Sequence, residues 1–76
     1  MSTDGINTLV FRPLTLSSAH FFCDDLMMMK IKEGDNRITF DTTKDGYIYV
    51  RVVEELISIV NKLAVDAMCQ LEVEDI

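Results

Sequence analysis

Apolar positions recur along this chain with two different periods. From Val53 to Cys69 they fall at Val53, Leu56, Ile57, Val60, Leu63, Ala64, Ala67 and Met68, the three-then-four spacing that lines one face of an α-helix. Glu54, Ser58, Asn61, Lys62 and Asp66 occupy the opposite face. Glu54 and Glu55 sit in the first turn, where negative charge favours the positive end of the peptide dipoles. Ile59 and Val65 widen the stripe, so more than one neighbour is expected to cover this helix.

Between Met27 and Val53 the period drops to two. Alternation puts Met27, Met29 and Ile31 inward in a first strand, Ile38, Phe40 and Thr42 in a second, and Ile48, Val50 and Val52 in a third. The turn Glu33-Gly34-Asp35-Asn36 pairs Ile31 with Ile38 and Met29 with Phe40, and Lys44-Asp45-Gly46 pairs Phe40 with Val50 and Ile38 with Val52. Gly46 occupies the left-handed position that a three-residue hairpin requires. A slip by one residue inverts both faces, so agreement of the two loop lengths with the apolar set is informative.

Upstream, Thr8 to Arg12 is β-prone and stops before Pro13, which cannot donate to a ladder. Thr15, Ser17 and Ser18 offer N-cap oxygens for a short helix to about Asp25, with Leu16, Ala19, Phe22, Cys23 and Leu26 on its apolar face. Phe21-Phe22-Cys23 reads equally as a buried strand, so residues 15–26 stay open between helix and strand. Residues 1–7 and 72–76 are expected to fray. The tail from Leu71 alternates weakly, which fits fraying, an edge strand or a reach to a second protomer. The expected fold is one α+β domain over residues 1–76, in the order β-α-β-β-β-α, with an antiparallel meander packed on a long C-terminal helix. Phe40, Val50, Leu56 and Val60 carry its core.

Seventy-six residues, 49% of them hydrophobic, support one small core and exclude a disordered chain. A core of that size points to a homodimer or a subunit of a larger complex. The polar start lacks a basic stretch followed by an apolar run, and no apolar segment approaches membrane-spanning length. Cys23 and Cys69 belong to no CxxC pair. The expectation is an intracellular protein with reduced thiols and no membrane partner.

The net charge of −6 is unevenly placed, because residues 54–76 hold Glu54, Glu55, Asp66, Glu72, Glu74 and Asp75 against Lys62 alone. That balance disfavours non-specific nucleic-acid binding, which comes from neutralising phosphates. It suits a basic protein surface, including one that ordinarily holds nucleic acid.

The outer face of the meander would show Met28, Lys30, Lys32, Arg37, Thr39, Asp41, Thr43, Tyr47, Tyr49 and Arg51. Tyr and Arg are favoured where proteins meet, and aromatics among cations also stack bases. An ordinary solvated sheet face accounts for the same residues. His20 and Cys23 share a helical face, but zinc needs three or four ligands and Cys69 is the only other thiol. No third group orients His20 for nucleophilic catalysis by Cys23. Asp24-Asp25 and Glu54-Glu55 are sequence neighbours that point apart, and Gly5, Gly34 and Gly46 form no phosphate-binding loop. The expected function is therefore a non-catalytic acidic protein with no metal or cofactor, an inhibitor, adaptor or small subunit that occupies a partner surface. Tyr47, Tyr49, Arg51, Met28 and Lys30 form one candidate contact, and Glu54, Glu55, Asp66, Glu72 and Glu74 the other. The alternative is a single-stranded nucleic-acid binder using the outer sheet face.

Overall fold

Leu9, Val10 and Phe11, three apolar residues in succession, form the middle of the molecule. In a computed structural model, which describes residues 5–75, they belong to β1 (Ile6–Pro13). This strand pairs antiparallel with β3 (Ile48–Val53) on one side and β4 (Cys69–Asp75) on the other. β2 (Ile38–Thr42) pairs with β3 and completes a four-stranded sheet in the order β2-β3-β1-β4. Helix α1 (Leu16–Glu33) joins β1 to β2, and a 3-10 turn at Glu54–Leu56 leads into α2 (Ile57–Asp66), which joins β3 to β4. The class is α+β, with the β-α-β-β-α-β order of a split β-α-β unit.

Both helices cover the same side of the sheet. Phe22 and Leu26 of α1, and Val60 and Ala64 of α2, join Leu9, Phe11, Val50 and Val52 in one buried cluster. The rings of Phe11 and Phe22 meet edge to face at 4.9 Å and 81°, an arrangement that aligns a positive ring edge with a negative face. Asn7, also inward, is buried, and its amide donates to the Gly5 carbonyl at 3.1 Å.

The second hairpin matches the expected register. Phe40 lies opposite Val50 and Ile38 opposite Val52, and Gly46 holds a positive φ of 91°. Thr15 caps α1, its hydroxyl accepting from the Ser18 N–H at 3.1 Å. Val50, Leu56 and Val60 are buried, and Phe40 is half-buried in the outermost strand.

Several expectations are corrected. Met27–Lys32 is not a strand but the second half of α1, which runs past Asp25 to Glu33. No Gly or Pro interrupts the chain until Gly34, and Met, Lys and Glu favour helix. The run Met-Met-Met-Lys-Ile-Lys satisfies alternation and helical spacing alike, so parity could not separate them. The pairings of Ile31 with Ile38 and Met29 with Phe40 therefore do not exist. Met27, Ile31 and Leu16 are exposed, and Met29 is half-buried.

The C-terminal helix is also shorter than expected. It ends at Asp66, Met68 turns left-handed at φ 61°, and Cys69 begins β4. Ala67 is buried as the stripe demanded, but from a turn, whereas Met68 is 63% exposed, and Cys69 is buried from the strand. The order is consequently β-α-β-β-α-β rather than β-α-β-β-β-α, and β1 is central. Of the ends expected to fray, Ile6 and Asn7 open β1 and residues 72–75 lie in β4, while residues 1–4 and 76 fall outside the described residues.

Phe22 and Phe21 separate this helix from the alternative strand reading. Phe22→Ala removes a side chain with no exposure and should lower the unfolding free energy by about 3–5 kcal/mol. Phe21→Ala, at a position 65% exposed, should change it by no more than about 0.5 kcal/mol in the same urea titration.

Candidate functional site

Because both helices lie on one side, the other side of the sheet is uncovered among the described residues. Thr8, Val10 and Arg12 of β1 point there, with Tyr49 and Arg51 of β3 and Thr39 and Asp41 of β2. The registers align these residues into rows across the strands. Asp41, Tyr49, Val10 and Val73 make one row, Thr39, Arg51 and Thr8 the next, and Arg12 pairs with Gln70 toward the far end.

Val10 is only 8% exposed although no helix covers it, whereas its neighbours Tyr49 and Val73 are 42% and 53% exposed. The centre of the open face is thus an apolar patch enclosed by its own cross-strand partners. Beside it, Thr8, Thr39, Asp41, Tyr49 and Arg51 line a shallow concavity of about 520 Å³. In β4 the register shifts between Val10 and Phe11, so that Glu72 is the extra residue of a bulge. Glu72 and Glu74 are exposed on this outer strand.

The expected contact residues are only partly brought together. Tyr49 and Arg51 stand on the open face. Tyr47 lies just before β3, half-buried, its N–H donating to the Thr43 hydroxyl at 3.1 Å. Met28 and Lys30 are on α1, in the opposite layer, as is Lys32. Lys30 and Lys32 occupy the last turn of α1, where positive charge complements the carbonyl end of the helix. Arg37 is engaged elsewhere: its Nη2 donates to Glu55 Oε1 at 3.2 Å, and its Nε lies 3.6 Å from Glu33 Oε1.

The basic cluster expected on the sheet therefore dissolves, leaving Arg51 and, unforeseen, Arg12. Glu54 and Glu55 sit before α2, Asp66 ends it, and Glu72 and Glu74 lie on β4. The carboxylates do not form one patch. Val10, Val73 and Arg12 were missed because no local signal reports which strands become neighbours.

His20 and Cys23 line one wall of a groove of about 330 Å³ between α1 and the β2–β3 hairpin, with Thr42, Thr43 and Ile48 across from them. Burial and the Asp24 carboxylate push the Cys23 thiol up. Burial, with Cys23 nearby, pushes Cys69 up to about 11, and its Sγ donates to the Ser18 carbonyl at 3.6 Å. Thiols held neutral in this way are poor nucleophiles. Among the described residues no three His, Cys, Asp or Glu side chains gather to hold a metal ion, and no helix is long and apolar enough to cross a membrane. Comparison of the chain with protein-family models, curated proteins and solved structures gave no match.

Cys69 supplies a pH test. Its folded pKa of about 11 exceeds the ordinary 9.0, so the native state holds its proton longer than the unfolded chain. The stability it contributes is complete below pH 9 and is lost as pH rises toward 11. Urea midpoints should fall over that interval in the native chain and fall less steeply in Cys69→Ala.

Proposed function

We propose that this chain is a non-catalytic interaction protein, an adaptor, inhibitor or small subunit, that receives a protein partner on its open sheet face. The observation that carries this reading is the row Tyr49–Val10–Val73, an apolar and aromatic centre uncovered by either helix and flanked by Arg51 and Arg12. An aromatic anchor with arginines around an apolar centre is the composition of an interface hot spot. Glu72, exposed in the bulge next to Val73, favours a partner with a basic rim there. The dispersed carboxylates support this local role and not a phosphate-like array. The neutral thiols of Cys23 and Cys69 support a role without cysteine-based catalysis.

One observation favours a second reading, a single-stranded nucleic-acid binder. Four-stranded sheets that take RNA stack bases on aromatics of their central strands. Gly46, Tyr47 and Val50 fit the strand signature of such modules and Tyr49 is aromatic where it has Phe, while Asp45, Ile48 and Val52 depart from it. Val10 stands where the adjoining strand would offer a second platform. With two arginines on the face and a net charge of −6, the protein reading ranks first.

Both are tested with one variant. Tyr49→Ala should weaken capture of a partner from host lysate at least tenfold, the loss of about 1.4 kcal/mol or more expected of a hot spot. Short RNA and DNA oligonucleotides should give no anisotropy change at low salt. Partner capture untouched by Tyr49→Ala sinks the leading reading; oligonucleotide binding that Tyr49→Ala abolishes establishes the second.

A further inference from the structure

The two edges of the sheet differ in kind. β4 carries a bulge at Glu72 and exposed carboxylates at Glu72 and Glu74, devices that keep a strand from recruiting another. β2, Ile38-Thr39-Phe40-Asp41-Thr42, has no proline, lysine or bulge. The Val53 N–H donates to the Arg37 carbonyl and the Thr43 N–H to the Tyr47 carbonyl, each at 3.0 Å. Odd-numbered residues of this strand therefore face β3, and the N–H and C=O groups of Phe40 and Thr42 face outward. Among the described residues no strand lies on that side.

Helix α1 presents a second unpartnered surface beside the same edge. Met27 and Ile31 are 47% and 73% exposed. Cys23 and His20, on the same stripe, line the groove against Thr42 and Thr43. Edge and stripe are thus continuous.

We propose that two copies of this chain pair through β2 about a twofold axis, forming one continuous eight-stranded sheet with the two α1 stripes against each other. The edge is self-complementary. An axis through Phe40 sets Phe40 against Phe40, Ile38 against Thr42, and Asp41 against Thr39, so no like charges face one another.

The helix stripe has the same symmetry. The Gly34 N–H bonds the Lys30 carbonyl, and the Arg37 N–H bonds the Gly34 carbonyl, which anchors the end of α1 beside the start of β2. The groove sets His20 to Asp24 beside Thr42 and Thr43. Met27 falls between these anchors, level with Phe40. The axis then brings Met27 to Met27, Cys23 to Ile31, and Asp24 to Lys30 twice over. A foreign strand would satisfy the edge alone; a second copy satisfies edge, stripe and charge together. The contact is isologous and uses both β2 edges, so it closes at two copies. It leaves the open sheet face free and holds whichever partner that face takes.

Sedimentation of the full chain across micromolar concentrations, with amide hydrogen exchange at the upper end, tests the arrangement. The expected mass is twice 8.7 kDa, with the Phe40 and Thr42 amides protected at high concentration and released on dilution. Met27→Glu places two carboxylates at the axis and should raise the dissociation constant at least tenfold. Thr42→Pro removes an outward N–H that the monomer does not use and should act likewise. A single-chain mass at every concentration overturns the proposal, as does a larger assembly. A dimer whose Phe40 and Thr42 amides exchange freely overturns it without any variant.

Discussion

Burial of Leu9 and Phe11 under both helices is the contact on which the rest of the structure depends. β1 pairs with β3 of the central hairpin on one side and with β4 of the C-terminal segment on the other. Leu9 and Phe11 have no exposure, and Phe11 meets Phe22 of α1 directly. With the inward side chains of β1 fixed, alternation sends Thr8, Val10 and Arg12 to the opposite side. The open face follows from the same strand that fills the core.

That division of labour lets a chain of 76 residues afford an uncovered sheet. Each helix contributes one buried stripe to a single shared cluster, and neither reaches the far side. Val10 is shielded there by neighbouring strands rather than by a helix. The polar groups follow the same economy: Arg37 closes the α1–β2 turn against Glu33 and reaches Glu55 before α2, tying the two connections on one flank. Surface pairs of this kind contribute little stability, but they withdraw a cation from the sheet.

Much of the hairpin was legible in the chain, because Ile38, Phe40, Ile48, Val50 and Val52 alternate strictly and Gly46 sets the loop. Tyr49 and Arg51 were placed outward for that reason. Met28 and Lys30 were misplaced because three consecutive methionines fit either period, and only the distance to Gly34 argued for a continuing helix. Ala67 and Met68 extended the helical stripe in sequence, yet the left-handed Met68 ends it. β4 was one of three readings of the tail, because Glu72 and Glu74 suit a solvated tail as well as an outer strand. Which strands flank β1 is a long-range fact, and no run of residues encodes it locally.

The most direct measurement of the account is the relaxation of side-chain NMR signals by a soluble paramagnetic agent. If helices cover one face only, the signals of Tyr49 and Val73 broaden strongly while those of Leu9, Val50 and Phe22 are spared. Equal broadening of Tyr49 and Val50 would contradict it, since those neighbours in β3 would then share the same exposure.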